Sequence, residues 1–356
     1  MSAAPTRINL ASDNVVGASA AVLDAIVRAN ADAEPSYGAD RYCAQAEAAL
    51  AQVFERELQV CLTATGTAAN ALALAALCTP WGAVLCHAES HILEDECGAP
   101  EFYSGGAKLI GIAGVAGKIT PDGLSDALAR LSPGVARTVQ PAVLSLSQVT
   151  EAGTLYSLEE LRALTALARR HGLRCHLDGS RYANAMVALD CSAAAMSWQA
   201  GFDAVTFGAT KNGALACEAV LSFEPALTAS LPFQRKRAGH TLSKSRLLGA
   251  QMVAYLHDGH WRDNARHANA MATRLAAGLA ALPGVRLPWP TQANEVFALV
   301  PEAVAARWRE AGIACAPWLS RGLPEGCSVG DGQRFLRMVT SYATTPEQID
   351  AVIAAA

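Results

Sequence analysis

Short apolar runs bounded by turn residues alternate with amphipathic stretches over the first two thirds of this chain. The runs Leu58–Leu62, Ala83–Cys86, Lys108–Ile112, Ala142–Leu146 and those leading to Asp178 and Lys211 predict buried strands. Between them the spacing predicts helices over Ser19–Asn30, with Val22, Ile26 and Val27 on one face, and over Ala44–Phe54. Others are predicted from Gly66-Thr67 to Leu77, over Leu124–Leu131 and over Leu158–His171. The last of these has Ser157 and Glu160 as a capping box, a stripe of Leu161, Leu164 and Ala168, and Gly172 as its stop. Glu218–Phe223 predicts a returning strand. From Ser243 onward the texture changes to long amphipathic helices broken at Asp258-Gly259, then to strands Val285–Leu287, Glu295–Val300 and Phe335–Thr340. A final helix is opened by Thr345, Pro346 and Gln348.

This order predicts an α/β architecture with a large, mostly parallel sheet covered by helices over residues 1–248, N-terminal segment included. A smaller C-terminal α+β domain is expected over residues 249–356. Neither an internal repeat nor a low-complexity linker interrupts the chain, so the two parts are expected to pack on each other.

With 356 residues there is material for two cores. A formal charge of −4 offers no basic field, so nucleic acid and anionic membrane are not expected partners. The ten cysteines include no C-x-x-C pair, and Cys61, Cys86 and Cys175 lie in strand-like runs. They read as reduced core residues of a cytoplasmic protein, with no metal site. The polar start Met1–Ile8 carries no apolar signal-peptide core, and no apolar run is long enough to span a bilayer.

The chemistry concentrates at strand ends. In an open α/β sheet ligands sit at the carboxyl ends of the strands, where Asp178 and Lys211 are expected. An amine and a carboxylate presented together suit pyridoxal phosphate, which needs a lysine for covalent attachment and an acid facing its ring nitrogen. As single residues they read equally well as a surface lysine and a capping aspartate. The turn at Gly66-Thr67 between a strand and a helix aims free N–H groups and the helix dipole at one point, which favours an anion such as phosphate. Another reading makes that turn a dinucleotide site, but no G-x-G-x-x-G follows any strand.

Six stretches taken in order resemble the fold-type I pyridoxal-phosphate enzymes, within them the threonine aldolase and β-eliminating lyase group. They are Ala-Ser12-Asp-Asn, Tyr37-Gly-Ala-Asp40, the Gly66-Thr67 turn, His91-Ile-x-x-x-Glu96-x-Gly98, His-Leu-Asp178-Gly-Ser-Arg181 with the Lys211 segment, and Phe335-Leu-Arg337-Met-Val-Thr-Ser. The resemblance implies that Lys211 carries the cofactor, Asp178 faces the ring nitrogen, Gly66 and Thr67 hold the phosphate and His91 lies over the ring. It further implies that Arg181 and Arg337 meet anions in the site, Arg337 the substrate carboxylate with help from Ser12, and that Tyr37 belongs to the substrate pocket. Basic residues from a neighbouring subunit complete the phosphate site in this group; Lys236, in the segment Arg235–Arg246, is the choice here.

Two departures from the family pattern fall near the side-chain end of the substrate. Ser147-Gln-Val-Thr150-Glu stands where many members have a histidine-bearing segment, and Asp95 is acidic where some relatives are apolar. Thr150 and Asp95 are therefore expected to shape the pocket for the β-substituent. The implied activity is cleavage of β-hydroxy-α-amino acids such as threonine or phenylserine to glycine and an aldehyde. The implied assembly is a homo-oligomer, dimer or tetramer, with sites at subunit interfaces; a β-eliminating lyase on the same cofactor is the alternative, and a catalytically dead homologue is disfavoured by the presence of both Lys211 and Asp178.

Overall fold

The computed structural model describes residues 8–31, 33–224 and 229–356; the polar start at 1–7 lies outside the described residues. Its centre is a seven-stranded sheet ordered β2-β8-β7-β6-β5-β3-β4. These strands are β2 Gln59–Thr63, β3 Gly82–His87, β4 Lys108–Ile112, β5 Gln140–Ser147, β6 Arg174–Gly179, β7 Ala204–Gly208 and β8 Glu218–Ser222. β8 alone runs antiparallel, to both β7 and β2. It is the returning strand expected after Lys211, and the short β7–β8 connection is possible because antiparallel neighbours need no crossover helix. The remaining pairings are parallel and joined through helices that cover the sheet, so β3, β6 and β7 are buried along nearly their whole length.

The C-terminal part holds a three-stranded antiparallel sheet of β11 Ala316–Pro317, β12 Gln333–Val339 and β9 Glu295–Pro301. A two-residue parallel pair joins β1 Ile8–Asn9 to β10 Ile313–Ala314. Ile8 and Leu10 pack in the small apolar cluster with Leu279, Val296, Trp308 and Met338, so the N-terminal strand is buried against the C-terminal sheet. The large cluster takes in Leu248, Met252, Tyr255, Trp261 and Ala265, from either side of residue 249. The expected strand at Val285–Leu287 shrinks to a single bridge between Arg286 and Leu299, because Pro283 and Pro288 flank it and a proline cannot donate to a ladder.

The break at Asp258-Gly259 separates the helices Arg246–Leu256 and His260–Ala280, with Asp258 and Gly259 both at positive φ. That turn sends the second helix back over the large sheet and brings Trp261 against Phe207. Phe207 also meets Phe54 and Tyr182, with ring centroids 5.6 and 5.5 Å away. Each such aromatic pair contributes about 0.5–1.5 kcal/mol beyond its buried area, and this one cluster fixes the end of β7. Among the described residues no helix is long and apolar enough to cross a membrane.

Candidate active site

Lys211 sits in a single 3-10 turn, Thr210–Asn212, just beyond β7. Its neighbours hold that turn. The Asn212 amide donates to Tyr255 Oη and to the Trp261 carbonyl, both at 2.8 Å, and Asn264 donates to the Asn212 carbonyl at 2.9 Å. Thr210 Oγ1 accepts from the Cys217 N–H at 3.0 Å, tying the turn to the start of β8. Gly208 is required where β7 ends, since a Cβ there would lie 2.3 Å from the Ser180 carbonyl oxygen. That close approach brings the loop after β6 beside the lysine turn.

The cavity next to Lys211 has a volume of about 280 Å³ and is walled by Gly66, Thr67, Asn70, His91, Glu96 and Ser180 among others. Gly66 opens the helix Gly66–Leu77, whose cap Thr65 accepts from the Ala68 N–H. The Ala69 N–H reaches the Thr65 carbonyl, leaving the first two N–H groups, of Gly66 and Thr67, at the cavity wall.

Behind that wall the buried polar groups form one chain. Asp178 Oδ1 accepts from the Ser180 N–H and hydroxyl at 3.0 and 2.7 Å, and its Oδ2 accepts from Asn70 Nδ2 at 2.8 Å. The same Asn70 nitrogen donates to Glu96 Oε1 at 2.8 Å, and Glu96 Oε1 lies 2.9 Å from His91 Nδ1. Burial opposes ionisation of Asp178, but the charges of His91 and Lys211 and the Ser180 hydrogen bond prevail and hold its carboxyl below the usual range. Burial pushes Glu96 up, while its contact with His91 raises the imidazole, so the two hold one proton between them. The His91 N–H and the Ser147 hydroxyl both donate to Glu151, a buried carboxyl pushed up to about 7 by burial.

At the other end lie the two arginines. Arg181 makes a two-pronged contact with Asp13, at 2.7 and 3.0 Å, and its third nitrogen is 3.3 Å from Glu295. The Arg337 guanidinium carbon lies over Trp318, 4.4 Å from the ring centroid, and Nη2 donates to the Ala11 carbonyl at 3.1 Å. Ser12, the next residue, caps the Asp13–Val15 turn through the Asn14 N–H.

These groups fit a phosphate-bearing pyridine aldehyde. Lys211 offers the amine, Asp178 an ionised acid bonded to the wall residues Asn70 and Ser180, His91 a flat ring, and the Gly66-Thr67 N–H groups an anion seat. A family model described as "Beta-eliminating lyase" matches residues 9–303. A low specificity L-threonine aldolase of Pseudomonas aeruginosa is 42% identical over 305 residues, covering 84% of this chain and 87% of that one. The chain belongs to the β-eliminating lyase family. A second low specificity L-threonine aldolase, from Pseudomonas sp., is 38% identical over 302 residues, covering 85% of this chain and 87% of that one. The solved structure of a Leishmania major threonine aldolase matches with a TM-score of 0.89 at 28% identity, covering 98% of each chain. A Sphingomonas wittichii serine palmitoyltransferase, at 18% identity and a TM-score of 0.71, covering 98% of this chain and 86% of that one, shares the fold. The architecture is that of fold type I, as the resemblance implies.

Several residues that family resemblance draws to the site lie elsewhere in this β-eliminating lyase homologue. Thr150 is fully buried, with its hydroxyl 2.8 Å from Thr154 Oγ1 and accepting from the Thr154 N–H. It closes a turn and presents no group to the cavity, because the residue after it, Glu151, is the one that turns toward His91. Thr150, expected to shape the pocket for the β-substituent, has its hydroxyl engaged within its own turn. Arg181 is engaged by Asp13 and Glu295 rather than facing an open anion seat. Asp95 is exposed and lines a cleft with Glu151, Trp318 and Arg321, beside the ring that Arg337 covers. Tyr37 and Lys236 stack on each other, 4.7 Å from ring centroid to amine, and neither lines the cavity of its own chain.

Asn70, Ser180, Asp13, Glu151 and Glu295 were not singled out from the sequence. For two of them a signal existed. Asn70 is a lone amide inside an Ala/Leu-rich helix, and Glu295 opens an otherwise apolar strand; a polar residue in such a place is buried at a cost unless it has a partner.

Proposed function

We propose that this protein is a pyridoxal-phosphate-dependent aldolase that cleaves β-hydroxy-α-amino acids such as threonine or phenylserine to glycine and an aldehyde. The observation that carries this reading is the continuous chain from Asp178 through Asn70 and Glu96 to His91, bordering the cavity that Lys211 enters. The two low specificity L-threonine aldolases at 42% and 38% identity support it. When bound, the cofactor supplies an electron sink for the pair released as the Cα–Cβ bond breaks. Lys211 would hold it covalently, Gly66 and Thr67 its phosphate, and Asp178 the proton on its ring nitrogen.

The residues around that group do the remaining work. Glu96 anchors Nδ1 of His91, which selects the ring tautomer whose Nε2 accepts a proton, and His91 is the base for the β-hydroxyl. Arg337 meets the substrate carboxylate by its planar fork with Ser12 beside it, and so sets the rotation of the bond to be broken. Arg181, braced by Asp13, supports that end. The reading includes a homo-oligomer in which Lys236 and Tyr37 serve a neighbouring subunit's site, and a two-part division at residues 248/249.

The products decide between this reaction and β-elimination. Incubation of the purified holoenzyme with threonine should give glycine and acetaldehyde in equal amounts, and with phenylserine glycine and benzaldehyde. Ammonia with a 2-oxo acid, in place of glycine, would overturn the aldolase reading. The carboxylate anchor has its own check. Arg337→Lys keeps the charge and loses the fork, so kcat/KM should fall by roughly 1.5–3 kcal/mol, the range for a hydrogen bond to a charged group. The cofactor absorbance should stay as in wild type, and an unchanged kcat/KM would remove Arg337 from the site.

A further inference from the structure

Glu295 is a buried charged group beside this site to which the proposed reaction assigns no role. Its side chain is wholly buried, at the start of β9, and Gly153 lies against it so closely that a Cβ there would be 2.9 Å from Glu295 Cβ. Gly153 adopts φ +69, so the loop after β5 can lie against the Glu295 Cβ and the Phe297 ring. The nearest guanidinium nitrogens are Arg181 Nη1 at 3.3 Å and Arg337 Nη1 at 3.7 Å, and among the described residues neither Glu295 oxygen has a hydrogen-bond partner. Arg337 Nε is likewise buried without an acceptor.

Asp13, the other acid of the cluster, is equally buried and also faces Arg181, but both its oxygens are hydrogen-bonded. It takes two hydrogen bonds from Arg181 and one from Asn294, and the charges of Arg181 and Lys211 together with these bonds outweigh burial to hold its carboxyl below the usual range. For Glu295 burial prevails over both arginines and pushes the carboxyl up. The other charged groups facing it are Asp13, which raises it further, and Lys211, which lowers it. Glu151 acts on Arg181 and Asp95 on Arg337.

With Glu295 ionised, the two guanidinium groups and two carboxylates form a neutral cluster before anything binds. A substrate carboxylate arriving at Arg337 adds a third negative charge in a buried place, where like charges are costly. Asp13 cannot discharge without forfeiting its hydrogen bonds, whereas Glu295 forfeits none. We infer that Glu295 takes up a proton when the substrate carboxylate binds, and thereby sets how carboxylate affinity varies with pH. The inference rests on the placement of that carboxylate at Arg337. Glu295 acts here as a positioning and proton-holding residue behind the arginines.

The sign follows from linkage. Above the pKa of Glu295 in the free enzyme, binding must draw a proton from solution, so affinity falls as pH rises, by up to about tenfold per pH unit for one proton. The probe is 3-hydroxybutyrate, which carries the carboxylate and hydroxyl of threonine but no amine to compete with Lys211. Its Ki against the holoenzyme should rise with pH in wild type and in Glu295→Asp, and should lose that slope in Glu295→Gln while binding more tightly at high pH. Calorimetry of wild type in two buffers of unlike ionisation enthalpy should show proton uptake on binding, which keeps the test intact if Glu295→Gln does not fold. A wild-type Ki independent of pH, absence of proton uptake, or an unaltered slope in Glu295→Gln would each overturn the inference. Arg337→Lys separates the two levels. If it leaves Ki unchanged, the carboxylate placement itself fails; if it raises Ki while Glu295→Gln keeps the slope, only the role of Glu295 fails.

Discussion

Alanine at position 211 should abolish turnover and leave the fold standing. The turn that carries Lys211 is held by the side chains on either side of it, Thr210 through Cys217 and Asn212 through Tyr255 and Trp261, and none of those bonds uses the lysine amine. Truncation to Cβ therefore removes the group that would attach the cofactor without unpinning β7 or β8. Thermal unfolding of the apoenzyme should stay close to wild type, within the ±0.5 kcal/mol usual for substitutions away from packing. Glycine formation from threonine should drop to background, since among the described residues no other amine lines this cavity. Borohydride reduction of the holoenzyme followed by peptide mapping examines the attachment directly. A pyridoxyl group on any other lysine would move the active centre elsewhere.

A second large effect is expected from Asp178→Asn. The amide can still accept from Ser180 through its oxygen, but it places an NH₂ where Oδ2 now takes the Asn70 hydrogen bond, so two donors face each other in a buried place. The negative charge that would keep the cofactor's ring nitrogen protonated is lost as well. Hydrogen bonds to charged groups contribute about 1.5–3 kcal/mol, and losing the charge with its partner should lower kcat by roughly 100-fold or more. Near wild-type rates in this variant would take Asp178 out of the site. Stability should respond to pH with a defined sign. Because the folded pKa of Asp178 is depressed, its ionised form stabilises the fold above the ordinary carboxyl value, and that contribution is lost as pH falls through the folded pKa. Asp178→Asn removes this component, so its stability should fall less steeply on acidification than that of wild type.

Alternation and punctuation determined the large architecture of this chain before any contact was visible. Apolar runs of strand length, the capping boxes at Ser157 and Thr345, and the break at Asp258-Gly259 are local features, written in residues that act on their own backbone or on neighbours within one turn. The same is true of the Gly66-Thr67 turn, whose N–H groups are free by virtue of their place at a helix start. Asp178 and Lys211 could be picked out because strand ends in such a sheet converge whatever the details. The partners of these residues were another matter. Asn70 meets Asp178 across 108 positions, Glu151 meets the His91 backbone across 60, and Asp13 pairs with Arg181 across 168. No local pattern encodes such pairings, since they arise only when burial forces each polar group to find whatever complement the fold has left within reach. Tertiary structure alone therefore decided that Thr150 closes a turn while Glu151 faces the site, that Arg181 is braced by Asp13, and that Glu295 lies between two arginines with no hydrogen bond of its own.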